Sequence, residues 1–202
     1  MTYWMQTFTG KTIDLENPTP DGVDIIDIAH SLSMTCRFGG HSISFYSVAE
    51  HSLLVEKLGS ENPEDNSRTP DPKQTMALLL HDSAEAYIGD IITPLKTILH
   101  KEICHLETLW LSSIQKRFDI GNMLTDQNPI IKHADRLALS IEVIRLLRPC
   151  DKWCEVFDRP TDDQMRNTFY MGWTPEKAKF EFLSRFVQIR QTLNQQANER
   201  QQ

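Results

Sequence analysis

Apolar positions recur at helical spacing through most of the chain. Behind Asp24, a suitable N-cap, IIDIAHSLSMTC places apolar residues every three to four positions. SVAEHSLLVEKLG opens on Ser47, carries Glu50 at the capping-box position and stops at Gly59, which predicts a helix over 47–59. A further helix is expected over 73–88, ended by Gly89. PLKTILHKEICHLETLWLSSIQKRF predicts one long amphipathic helix from Pro94 to Phe118, with the proline in the tolerant first turn. NPIIKHADRLALSIEVIRLLRP predicts another, with Pro129 near its start and Pro149 at its end. TPEKAKFEFLSRFVQIRQTL is the last, followed by a polar tail, NQQANERQQ, expected to fray. Two weak alternations, residues 3–8 and 11–15, flank Thr9-Gly10 and predict a short hairpin. Residues 60–72 are all polar or proline and read as a surface loop, and 150–174 read as irregular. The expectation is an all-α helical bundle with a short N-terminal β-hairpin. It forms a single domain over 1–202: hairpin and arm over 1–22, core helices over 24–148, C-terminal helix and tail over 175–202. No internal repeat is visible.

The bulk numbers change this picture little. A chain of 202 residues with 40% hydrophobic and 24% charged residues suits one ordinary globular core. A net charge of -7 argues against a general nucleic-acid binder, which needs a basic face. It leaves room for a small anionic substrate at a local basic cluster. Cys36, Cys104, Cys150 and Cys154 contain one close pair and no second pair to complete a zinc site, so they read as reduced structural thiols. The N-terminus lacks a basic-then-apolar leader and no apolar run reaches spanning length, so a cytoplasmic protein without membrane contact is expected.

The chemistry concentrates in LLLHDSAEAYIGDIITPLK, residues 78–96. Three leucines lead into His81 and Asp82, and Glu85 and Asp90 follow. A buried histidine beside a buried carboxylate is costly unless a cation or hydrogen bonds compensate it. On a helix Asp82 and Glu85 share a face, as do His81 and Glu85. His51, in AEHSLLV, and Asp135, in KHADRLALS, are likewise ligand types at positions where the period predicts core. Any one of them alone is more simply a hydrogen-bonded core residue. Four together would need four separate compensations. Two imidazoles and two carboxylates suit one divalent ion of the Mn, Fe, Co, Ni, Zn or Mg kind better than a thiolate-seeking metal.

The pattern His51 … His81-Asp82 … Asp135 resembles the HD superfamily of metal-dependent phosphohydrolases. The surrounding EHSLLV, LLLHDSAEAYIGDIITPLK and KHADRLA make the resemblance specific, over about residues 5 to 145. The HDxxE…GD…TPxK string is similar to that of bacterial 5′-deoxynucleotidases. DIAHSLSMTCRFGGH…FYSVAEHS is similar to a phage and prophage branch that includes enzymes removing phosphates from dATP. The resemblance implies that His51, His81, Asp82 and Asp135 ligate one divalent ion. It implies that Glu85 orients or deprotonates the attacking water, with Asp90 assisting. It points to Arg37 as a phosphate clamp and Phe38 beside it as a base-stacking ring. Lys96, Tyr87 and His41 are further expected substrate contacts, and His30 lies in the same stretch.

Blander readings stand beside these. Glu85 could instead hold His81 in place, and Asp90 could cap the helix at Pro94. Lys96 could be a solvated surface lysine, and Phe38 and Tyr87 core residues. His100, Cys104 and His105 do not match the second metal site of cyclic-nucleotide phosphodiesterases, and His133 points to another helix face than Asp135. The expected function is hydrolysis of a deoxynucleotide, most simply dATP or another purine dNTP, with a dNMP as the alternative substrate. A (p)ppGpp hydrolase is disfavoured because Ala86 follows Glu85 where that class has a second acid. The competing class is a non-catalytic nucleotide-binding protein on a degenerate scaffold. The acidic surface and amphipathic helices suggest a homo-oligomer.

Overall fold

The computed structural model describes residues 3–61, 71–125, 127–155, 160–166 and 172–199. The Cys154 side chain, most of the expected 60–72 loop and parts of the 150–174 segment lie outside the described residues. The chain opens with an antiparallel hairpin, β1 (Trp4–Gln6) and β2 (Thr12–Asp14), with Met5 paired to Ile13. Helices follow: α1 (Ile25–Met34), α2 (Val48–Ser60), α3 (Pro72–Leu80), α4 (Glu85–Ile88), α5 (Thr93–Ile98), α6 (His100–Phe118), α7 (Pro129–Leu146), α8 (Asp162–Arg166) and α9 (Pro175–Glu199). The architecture is all-α with a small hairpin, as the periodicity predicts. No helix among the described residues is long and apolar enough to cross a membrane.

Helix α2 lies at the centre. Every residue from Val48 to Glu56 is buried, polar ones included. It packs against α1, α3, α7 and α9. Its entry is fixed by a complete capping box. Ser47 Oγ accepts from the Glu50 N–H at 3.2 Å, and Glu50 Oε2 accepts from the Ser47 N–H at 3.3 Å. Glu50 Oε1 then accepts from the Gly172 and Trp173 N–H groups at 2.8 and 3.0 Å, which ties the chain ahead of α9 to the start of α2. Asp24 caps α1 by accepting from the Ile26 N–H, and Asn128 caps α7. The N-terminal arm is fastened to α6, where Trp110 Nε1 donates to the Leu15 carbonyl and Ser113 Oγ to the Pro18 carbonyl.

Four expectations need correction. Gly59 does not stop α2 as a cap; it lies inside the helix. A Cβ there would stand 2.4 Å from Leu78 Cδ2 and 3.2 Å from the Ala134 Cβ, so glycine is required by close approach of α2 to α3 and α7. The helix expected over 73–88 changes pitch at His81. The N–H groups of Ser83, Glu85, Ala86 and Tyr87 bond to the carbonyls three residues back, a tighter winding than the α-helix. Gly89, with φ of 83°, then ends α4. The helix expected from Pro94 to Phe118 breaks at Leu99 into α5 and α6. The tail does not fray at residue 194, because α9 continues to Glu199. That helix buries Ala178, Phe182, Phe186 and Ile189 along one stripe, and Arg185 clasps Glu56 of α2 through both carboxylate oxygens at 2.9 and 2.7 Å.

Gly59→Ala should lower stability by about 1 kcal/mol or more. Overpacking costs roughly 1–3 kcal/mol, against a helix-propensity gain of about 1 kcal/mol. Urea unfolding in a Leu78→Ala background should show a smaller effect of the same change, because the two methyls that block the new Cβ are gone. Equal effects in both backgrounds would rule out this packing account.

Candidate metal centre

His51 sits in the middle of α2 with no exposed surface. Its Nδ1 lies 2.6 Å from Glu142 Oε1, on α7. A carboxylate only accepts, so the network assigns the hydrogen to Nδ1 and leaves a lone pair on Nε2. His81 repeats the pattern. Its Nδ1 faces the Leu78 carbonyl at 2.9 Å, so its Nε2 also presents a lone pair. The two Nε2 atoms face each other at 3.3 Å. Asp82 Oδ2 stands 3.4 Å from His51 Nε2 and 3.1 Å from His81 Nε2, and Asp135 Oδ1 stands 3.1 Å from His51 Nε2.

This donor set fits a cation. His51 Nε2 faces three lone-pair atoms. Its separations from them, and that of His81 Nε2 from Asp82, are 3.1–3.4 Å, which match atoms sharing one ion at about 2.0–2.2 Å and standing roughly 2.8–3.6 Å apart. His51, His81 and Asp135 alone offer three ligand atoms within 4.8 Å of one another. Charge agrees as well. The carboxylates of Asp82, Asp135 and Glu142 stand against one guanidinium, Arg37, which leaves two negative charges for two positive ones. Burial pushes the Asp82 carboxyl up, but the imidazoles of His81 and His51 hold it well below the usual carboxylate range. Burial and Arg37 disfavour a proton on His51, yet Glu142, Asp135 and Asp82 reverse this and raise its pKa well above the ordinary imidazole.

The fold explains the convergence. Packing of α2 on α7 sets His51 beside Asp135 and Glu142. The tight winding after Leu80 brings Asp82 and Glu85, three apart, onto one side. Glu85 is buried and anchored through Oε1 by Lys96 Nζ at 3.2 Å. Its Oε2 has no hydrogen-bond partner among the described residues. Burial raises the Glu85 pKa well above the carboxylate range, and Asp82 and Asp90 add to the effect. Burial likewise raises Asp90.

The expected substrate residues are distributed unevenly. Arg37 is at the centre, with Nε 3.3 Å from Glu142 Oε2 and Nη1 3.6 Å from Asp82 Oδ2. Phe38 follows it in a left-handed conformation, φ of 56°, with its ring centroid 5.6 Å from the guanidinium. Lys96 is held between Glu85 and Glu107, the latter at 2.8 Å. Tyr87 is not brought to the metal ligands. It stacks on Trp110 at 3.8 Å and lines a separate cavity of about 620 Å³ with Phe8, His30 and Met34. His30 stacks on Phe8 there, at 3.7 Å. His41 is exposed at the end of the RFGG turn, and His100, His105 and His133 are exposed on their helices. Periodicity did not single out Glu142. The usable signal was an acid inside LALSIEVIRLL, two helical turns after Asp135.

No family model matches the chain. Two curated proteins do. The uncharacterized protein RCAP_rcc00048 of Rhodobacter capsulatus is 37% identical over 145 residues, covering 69% of this chain and 70% of its own length. The uncharacterized protein YfdR of Escherichia coli is 32% identical over 139 residues, covering 69% and 70%. The chain belongs to the same family as these two proteins.

A divalent ion at one hundred times its dissociation constant should stabilise the protein by about 2.7 kcal/mol. Asp135→Ala should abolish the thermal shift. Because an imidazole binds the ion only when deprotonated, affinity should fall as pH falls. An affinity unchanged between about pH 8 and about pH 5 would contradict the assigned ligand set.

Proposed function

We propose that the protein is a divalent-metal-dependent phosphohydrolase of deoxynucleotides. One observation carries the reading: His51 Nε2 stands 3.1–3.4 Å from His81 Nε2, Asp82 Oδ2 and Asp135 Oδ1, and Glu85, three residues after Asp82, is buried with one carboxylate oxygen unpartnered among the described residues. The resemblance to the HD phosphohydrolases supports the reaction class. His51, His81, Asp82 and Asp135 would hold the ion, which supplies charge neutralisation at the phosphoryl oxygens and acidifies water.

The chain's own residues do the rest. Lys96 holds Glu85 Oε1, so Oε2 is the atom left to accept a proton from the attacking water. Burial raises the proton affinity of Glu85, which favours uptake of that proton. The water oxygen then bonds to phosphorus, the P–O bond to the leaving group breaks, and the proton held on Glu85 is available to the leaving oxygen. Phe38, at the turn beside Arg37, offers a ring for the base.

The resemblance to the phage branch favours dATP or another purine dNTP. A monophosphate reading is favoured by a different observation. Arg37 and Lys96, the two cations expected to meet a polyphosphate, are each paired with two carboxylates. We also infer a homo-oligomer, because Ile92, Leu95, Ile98 and Leu99 leave an apolar strip exposed at α5, with Ile98 78% exposed.

The test incubates purified protein with Co²⁺ or Mn²⁺ and a panel of dNTPs, dNMPs and ribonucleotides. Loss of dATP with little loss of dAMP is expected, and turnover of dNMPs alone would establish the second reading. Asp82→Ala should remove activity and metal content together. Glu85→Gln should keep the metal and lose roughly 10²–10⁴ in rate. No turnover of any nucleotide with any metal would reject the enzyme reading in favour of a nucleotide-binding protein.

A further inference from the structure

Glu142 is a wholly buried ionisable group with no part in the reaction described above. Its Oε1 accepts from the Tyr46 hydroxyl at 3.0 Å and from His51 Nδ1 at 2.6 Å. Its Oε2 stands 3.3 Å from Arg37 Nε, and Arg37 Nη1 reaches Asp82 Oδ2 at 3.6 Å. Glu142 and Arg37 therefore link two of the four groups, His51 on α2 and Asp82 in the tight turn after α3; the Arg37 contacts are ion pairs, since Arg37 Nε and Glu142 Oε2 make no hydrogen bond among the described residues. A buried ion pair is weak evidence for stability, since apolar side chains of similar volume serve as well or better. The geometry around His51 supplies another role. Of its two ring nitrogens, only Nε2 faces His81, Asp82 and Asp135. That nitrogen is a ligand only when the hydrogen resides on Nδ1, and an ionised carboxylate at 2.6 Å admits only a donor.

We propose that Glu142 is a positioning residue of the metal centre, locking the Nδ1–H tautomer of His51 and, through Arg37, fixing the orientation of Asp82 relative to it. The proposal rests on the metal reading above. It reassigns Arg37, whose Nε and Nη1 both serve this bridge. Tyr46 holds the carboxylate from the other side, and Glu142 reaches the ion only through His51.

The change Glu142→Gln keeps the volume and removes the tautomer lock, because an amide can donate to Nδ1 as readily as accept from it. Divalent affinity, measured with Mn²⁺ and Zn²⁺ by competition with a chelator, should fall roughly 10- to 100-fold. In ¹⁵N-histidine spectra of the metal-free proteins, recorded above the pH at which His51 loses its second proton, His51 should be the Nδ1–H form in the wild type and a mixture of tautomers in the variant. Tyr46→Phe leaves the carboxylate in place and should change affinity by less than about threefold, well short of the loss from breaking the His51 contact itself. A folded Glu142→Gln protein with wild-type affinity and an unchanged His51 spectrum overturns the proposal and leaves the metal reading intact. Wild-type protein that takes up neither ion overturns both. Should the glutamine variant fail to fold, the spectrum of the metal-loaded wild type decides. Nδ1–H with Nε2 on the ion supports the proposal, and Nδ1 on the ion overturns it.

Discussion

Lone pairs that face one another in a protein interior require a positive charge between them. The rest of this structure is arranged around that requirement. His51 and His81 point their Nε2 atoms at each other across 3.3 Å, and Asp82 and Asp135 close in from the sides. Either a proton or a metal ion satisfies the arrangement. The carboxylates set the balance, because their negative charge exceeds what Arg37 alone can neutralise.

Holding such a cluster demands a rigid frame, and α2 supplies it. A helix buried on every side cannot shift without disturbing its neighbours. Its start is held by the Ser47–Glu50 box, its Glu50 carboxylate receives the chain ahead of α9, and its Glu56 receives Arg185 of that same helix. Gly59 lets α3 and α7 come close at its far end. The tight winding at His81 solves a separate problem. It turns a leucine-rich core helix into a short segment that presents His81 and Asp82 to His51 of α2. The same device leaves Glu85 buried, where its proton affinity rises.

Much of this was legible along the chain. His51 and Asp135 stood out as polar ligand types at core positions, and His81-Asp82 as an interruption of a leucine run. Ser47 with Glu50, Asp24 and Asn128 carry their caps within three residues, so they could be read locally. Two of the misreadings come from distant neighbours and one from the turn of the helix. Gly59 follows an apolar run as a stop signal does, but its reason is Leu78, nineteen positions away in sequence. Lys96 looks like a free cation near a helix start until Glu107, one helix later, is seen to hold it. Tyr87 sits two residues from Glu85, yet it faces Trp110, because successive positions on a helix diverge by about a hundred degrees.

The existence of the main helices, their local N-caps and the residue types of the candidate ligands are therefore legible in the sequence alone, since each depends on neighbours within a turn or two. Which tautomer His51 adopts, which carboxylate fixes it and where Arg37 spends its charge belong to the tertiary structure. Glu142 lies ninety-one residues from His51, and only the crossing of α7 over α2 brings them to 2.6 Å. No periodicity encodes a contact of that range, because the spacing of residues on one helix carries no record of which residue stands opposite on another.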